Sequence, residues 1–199
     1  MSKSVKTTIK HELLMNSLRN FFLENNNLNT ILPIINGKSN ISLRVMDWFV
    51  TNYSKKHNIS YMVDEFGKII TDENYPNKRE FVVYLDYKLQ LKGYQKKQFD
   101  PFCRRSRINF YYNNTDYFVT TVGQLNFFRW TIQNSVLDYI TSNLEIIEKD
   151  MNACYKAIYN LDKTKNTDLK PTRRKRQELS ISATKKLSKS NVKIFVSFD

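Results

Sequence analysis

Apolar residues recur at helical or strand spacing from about Leu14 to Tyr159 and then stop, and this boundary limits the chain more than any other feature. Within 199 residues there is room for one well-buried domain and a tail, whereas two full domains would leave both cores thin. Residues 1–162 are read as a single α+β globular domain, 163–193 as a basic flexible tail, and 194–199 as a short terminal strand. That strand is suited to docking on the chain's own sheet edge or to donation to another protein's sheet. Thirteen Phe and twelve Tyr, in a chain that is 41% hydrophobic, are more apolar material than a disordered polypeptide holds, so a packed core is expected.

The expected order is two N-terminal helices, a mainly antiparallel sheet of hairpins, two further helices and the basic C-terminal extension. Leu14, Leu18, Phe21 and Phe22 predict a first helix over 8–24, capped by Thr7 or Thr8 and ended by the Asn run at 25–27. Residues 31–40 read as a loop. Met46, Phe49, Val50 and Tyr53 share a face of a second helix that ends near His57 and is closed by Asn58. Runs at 59–63 and 68–71 predict a hairpin turning at Gly67, and the alternation from Phe81 to Leu91 predicts a strand that buries Leu85 and Leu89. A second hairpin joins 107–112 to 117–121 across a turn at Asn113–Asp116. Thr121 and Gln124 spell a reciprocal capping box for a helix burying Leu125, Phe128, Ile132, Val136 and Ile140. After a break near Ser142, a last helix carries Ile147, Met151, Cys154 and Ile158.

The formal net charge of +13 is unevenly placed. Residues 163–193 hold eleven Lys and Arg against Asp168 and Glu178, a net of +9, and residues 88–107 hold seven against Asp100, a net of +6. The remainder carries fourteen basic and sixteen acidic groups, a net of −2, so two segments account for the whole excess.

Several function classes find no support. No stretch approaches the roughly 20 apolar residues of a membrane span, and MSKSVKTTIKHELL lacks the apolar stretch of a secretory signal, so an intracellular protein without a membrane span is expected. Cys103 and Cys154 have no CxxC or Cys/His spacing, which argues against a zinc site or disulfide framework. Four glycines make no phosphate-cradling loop. His11 and His57 read as ordinary surface or satisfied histidines, and Cys103 beside Arg104 and Arg105 lacks an identifiable base. The pairs Asp64 and Glu65, Asp72 and Glu73, and the group Glu145, Glu148 and Asp150 read as solvated loop or helix faces rather than metal ligands. No catalytic residue, metal or cofactor is expected, and the chain is read as a non-enzyme.

The positive signal is nucleic-acid binding. In YQKKQFDPFCRRSR (94–107), Lys96, Lys97, Arg104, Arg105 and Arg107 alternate with Tyr94, Phe99 and Phe102, a pattern that suits phosphate contact with rings that stack on bases or anchor the loop. In the tail, Arg173, Arg174, Lys175, Arg176, Lys185 and Lys186 form a second cationic set, which neutralises phosphates without fixed geometry. A nuclear localisation signal, an anionic membrane contact and an RNA site compete for the tail.

RVMDWFVTNYSKK (44–56), YQKKQFDPFCRR (94–105) and TTVGQLNFFRW (120–130) resemble a mostly uncharacterised family of proteins from nucleocytoplasmic large DNA viruses, the giant viruses. The resemblance lies within residues 41–152. It implies a viral origin, supplies no catalytic residues, and suits a genome-packaging or other virion role in the viral factory, the virion or the host nucleus. The resulting expectation is a non-enzymatic nucleic-acid-binding protein, DNA favoured over RNA, with other virion or viral-factory proteins as further partners. The alternative is a virion structural or protein-interaction subunit with a basic targeting tail.

Overall fold

The computed structural model describes the backbone of residues 2–24, 26–102, 107–113 and 115–164, and the side chains of those stretches between 11 and 157. The tail beyond Thr164 and the terminal strand at 194–199 lie outside the described residues. The fold is α+β, as expected, and the unit that carries the core is Met1–Ala157.

Helix α1 (Ser2–Leu23) begins before the expected Thr7 or Thr8 cap, because no Gly or Pro interrupts it. Leu18 and Phe22 are buried, with Leu14 and Phe21 packed at the edge. Residues 31–35, expected within a loop, belong instead to α2 (Asn27–Ile35). Ile31 and Ile34 are buried, and this burial outweighs Pro33, whose position late in the helix removes a single intrahelical donor. The Pro33 carbonyl accepts from the Lys38 and Ser39 amides at 2.8 and 3.1 Å as the chain turns away.

Helix α3 (Leu43–Trp48) starts at Ser42, whose hydroxyl accepts from the Val45 amide at 3.2 Å. It runs through a π-helical turn at Phe49–Tyr53 into α4 (Ser54–Lys56). Met46, Phe49, Val50 and Tyr53 are all buried, and Asn58 closes the helix at φ +49°.

Strand β1 (Ser60–Val63) pairs antiparallel with β2 (Arg79–Val82), in a register from Ser60↔Val82 to Val63↔Arg79. The turn expected at Gly67 forms, but 68–71 contributes only a bridge between Val63 and Ile69, not a strand. The expected strand over 80–91 is overturned beyond Val82, where the chain enters α5 (Val83–Gly93). Val83, Tyr87 and Leu91 lie four apart, so they share a face in either conformation. The helix buries the first two, and Asp86 accepts from Trp130 Nε1 at 2.6 Å and from Gln90 Nε2 at 3.2 Å. Leu85 and Leu89, which the strand would have buried, are 58% and 64% exposed.

The second hairpin is as expected: β3 (Ile108–Tyr111) pairs with β4 (Tyr117–Thr120) from Ile108↔Thr120 to Tyr111↔Tyr117. Phe110 and Phe118 fill its inner face, and Phe110 meets Phe22 of α1 edge-on at 6.0 Å. The two ladders are separate two-stranded sheets.

Helix α6 (Val122–Gln133) is capped by the Thr121 hydroxyl, which accepts from the Gln124 amide at 3.1 Å. The reciprocal half of the expected box is absent: Gln124 Oε1 accepts from the Thr120 hydroxyl at 2.9 Å instead. A further break at Ser135, φ +50°, separates α6 from α7 (Val136–Ser142), and α8 (Leu144–Thr164) follows. Leu125, Phe128, Val136 and Ile140 are buried across that break, and Ile132 is half-buried.

The break frees two carbonyls, and the β1 region covers them. Tyr61 donates its hydroxyl to the Asn134 carbonyl at 2.8 Å, and burial raises its pKa above the ordinary tyrosine value. Gly67, at φ +80°, presses on Gln133 so closely that a Cβ would stand 1.9 Å from the Gln133 carbonyl oxygen. Gly67→Ala combines left-handed strain with overpacking against backbone and should lower unfolding stability by about 3 kcal/mol. Urea denaturation measures this, and an unchanged midpoint would refute the contact.

Candidate nucleic-acid interface

The connector between α5 and β3 is held at several points along its length. Phe99 is fully buried, with ring centroids 5.8 Å from Tyr87, 6.1 Å from Phe127 and 5.8 Å from Trp130, and Tyr94 stacks on it at 5.6 Å. The Gln98 carbonyl accepts from Asn126 Nδ2 at 2.8 Å. Gly123 lets α6 approach so closely that a Cβ there would lie 3.0 Å from the Asp100 carbonyl oxygen. Asp100 Oδ1 accepts from the Phe102 amide at 2.8 Å, and Pro101 is buried.

This anchoring leaves the cations outside. Lys96 and Lys97 occupy a single 3-10 turn, Lys96–Gln98, and both are exposed, as is Arg107 where β3 begins. Lys96 lies 3.6 Å from Asp100 Oδ2, so part of its charge is answered locally. Among the described residues, Lys97 and Arg107 have no ion pair. Arg104 and Arg105 lie outside the described residues, as do Arg173, Arg174, Lys175, Arg176, Lys185 and Lys186.

The rings divide by role. Tyr94 and Phe99 are taken up by the core, so of the three aromatic residues in this segment only Phe102, 45% exposed, is open to a base. Sequence reasoning passed over Tyr84, on which two cations converge: Lys55 Nζ lies 5.5 Å and Lys88 Nζ 5.9 Å from its centroid. The signal was a Lys one helical turn after a Tyr, which the strand reading of 80–91 hid.

Three of the carboxylates, Asp64, Asp72 and Asp150, have structural tasks. Asp64 Oδ1 accepts from the Phe66 and Lys68 amides, and Asp72 Oδ1 from the Asn74 amide, so each shapes a turn. Among the described residues, no group of three or more His, Cys, Asp or Glu is placed to hold a metal ion. Asp150 ties α8 to the α3–α4 segment: it pairs with Lys56, accepts from Trp48 Nε1 at 3.3 Å and lies 3.7 Å from His57 Nε2. Burial is the largest influence and pushes the Asp150 carboxyl upward. The hydrogen bonds from Lys56 and Trp48 and the Lys56 charge together outweigh it and hold the carboxyl below its usual range.

As pH falls, the unfolded chain therefore protonates Asp150 before the folded protein does. The latch contributes fully above the ordinary carboxylate pKa and is lost as pH drops through the lower folded value. Asp150→Asn should be less stable than the parent near neutrality, and the difference should shrink between about pH 5 and pH 2. Denaturation across that range tests this; a gap that is constant with pH would show that the carboxylate charge contributes nothing.

A family model described as "Family of unknown function (DUF7197)" matches residues 2–178. The chain is 43% identical over 143 residues to "Uncharacterized protein L507" of Acanthamoeba polyphaga mimivirus, a match that takes in 69% of this chain and 51% of the relative. The chain thus spans about half the length of that curated relative. No solved structure matches significantly. The resemblance to a mostly uncharacterised giant-virus family is borne out by both matches.

Proposed function

We propose, for a chain that belongs to the DUF7197 family, that it binds nucleic acid, DNA in preference to RNA, without carrying out chemistry on it. The observation that carries this reading is the segregation of charge. Residues 88–107 and 163–193 hold net charges of +6 and +9, and the rest of the chain is at −2. A polyanion that neutralises lysine and arginine gains affinity through counterion release, and a slightly negative remainder confines it to the two basic segments. The contact residues of the described part are Lys96, Lys97 and Arg107; Arg104 and Arg105, between them in sequence, belong to the same set, and the tail supplies Arg173, Arg174, Lys175, Arg176, Lys185 and Lys186. The mimivirus relative supplies a viral setting; in that setting the bound polymer would be a viral genome, met in the viral factory, the virion or the host nucleus.

A second reading, a virion structural or protein-interaction subunit whose basic tail addresses it, draws on apolar side chains left in solvent. Phe66 is 73% exposed, and Tyr111, Tyr117 and Val119 line the outer face of the β3–β4 hairpin. Binding to virion or viral-factory proteins through such side chains would not depend on salt in the way that phosphate contact does.

Gel shifts with duplex DNA across salt concentrations separate the two. Truncation after Thr164 should weaken binding to every sequence and flatten the plot of log affinity against log salt by about 0.9 for each phosphate that the tail no longer neutralises. Replacing Arg104, Arg105 and Arg107 by Ala in the truncated protein should remove most of the remaining affinity. DNA should stay intact throughout in the presence of magnesium. Salt-independent binding, or cleavage abolished by carboxylate substitution, would overturn the proposal.

A further inference from the structure

Leu85, Lys88, Leu89 and Lys92 stand at i, i+3, i+4 and i+7 on α5 and therefore share one face, and all four are exposed. Two features set this face apart. Its leucines are among the most exposed apolar side chains described, at 58% and 64%, although the rest of α5 turns Val83 and Tyr87 fully inward. Its charge is of one sign. The single carboxylate of α5, Asp86, faces the core and is held by Trp130 and Gln90. Lys55 of α4 joins Lys88 over the Tyr84 ring along the same border. Among the described residues, no carboxylate lies within ion-pair distance of Lys55, Lys88 or Lys92.

We infer that this face of α5 is a contact for an anionic lipid surface. Phosphodiester binding would use the lysines but gives the two leucines no task. A protein partner would use both, yet a stable interface takes roughly 20–30 residues a side, far more than one strip on a single helix offers. A bilayer surface accepts leucines one at a time into the acyl boundary, while lysines lay their stems along the same face and keep their ammonium groups at the level of anionic headgroups. Tyr84 at the border adds a ring with a polar tip, suited to the same depth. The inference shares Lys88 and Lys92 with the basic segment 88–107 of the nucleic-acid reading and differs from it in Leu85 and Leu89, which that reading does not employ.

The test is sedimentation of the full chain with vesicles of phosphatidylcholine alone and of phosphatidylcholine containing about 30% phosphatidylserine. Salt at about 0.3 M shortens the Debye length to roughly 6 Å and suppresses purely electrostatic attachment of the tail. The parent should partition onto the anionic vesicles at least about tenfold more strongly than onto the neutral ones. Leu85→Ser with Leu89→Ser should cut that partition about tenfold with duplex-DNA affinity unchanged, and Lys88→Gln with Lys92→Gln should cut it by a similar factor. Circular dichroism checks that each variant keeps its fold. If the leucine variant partitions like the parent, or the parent does not discriminate between the vesicles, the inference is overturned. If the leucine variant loses DNA affinity in step with vesicle binding, the face belongs to the nucleic-acid surface instead. DNA binding by the parent is a separate readout, so its failure would leave the vesicle result standing.

Discussion

The arrangement of α5, the connector and α6 depends on the burial of one ring, Phe99. Tyr87 reaches it from α5, Tyr94 from the start of the connector, and Phe127 and Trp130 from α6, all within about 6 Å. Trp130 then holds the Asp86 carboxylate through its indole N–H, which fixes the rotation of α5 about its own axis. With that rotation set, Val83 and Tyr87 face inward, and Leu85, Lys88, Leu89 and Lys92 are left on the outside. The ring also brings the Gln98 carbonyl to Asn126 and so holds the turn that carries Lys96 and Lys97 clear of the core. Both basic surfaces of the folded part thus follow from a single apolar anchor.

Where local chemistry and tertiary packing agree, the sequence was a sufficient guide. The helix through Met46, Phe49, Val50 and Tyr53 has unambiguous period and a polar stop at Asn58, and the β3–β4 hairpin joins two β-prone runs through a polar tetrad. Thr121 caps α6 because a hydroxyl at that position has a free amide within reach whatever the rest of the chain does. The second half of the box failed because the Thr120 hydroxyl, one residue away, engages the Gln124 side chain instead. Pro33 concealed the end of α2 for a related reason: a proline signals a break locally, but the burial of Ile31 and Ile34 is decided by distant residues.

Part of the candidate interface was legible and part was not. That Lys96, Lys97 and Arg107 lie outward could be read from charge alone, since unpaired cations avoid the interior. The fate of the rings could not. Tyr94, Phe99 and Phe102 are equally interleaved with the cations, yet two are committed to the core and one is half in solvent. Only the positions of Phe127 and Trp130, roughly 30 residues further along, decide which. In the convergence of Lys55 and Lys88 on Tyr84, the step from Tyr84 to Lys88 is local and visible only if the segment is read as a helix, whereas Lys55 comes from a different element and leaves no trace in that pattern.

The misreading of residues 83–91 says the most about this chain. A strand would have used every apolar residue of the alternation, so the sequence reading placed Leu85 and Leu89 inside along with Val83 and Tyr87. The helix needs only those spaced by four, and it leaves two leucines in water beside two lysines. Solvent exposure of two large aliphatic side chains adds no apolar burial to the fold, and glutamate or glutamine in their place would suit a helix surface about as well. An apolar pattern therefore records burial against something, but the something need not be the chain's own core. Here the surplus falls on the one face of α5 whose charge is wholly positive, so whatever covers those leucines must also be able to answer the lysines.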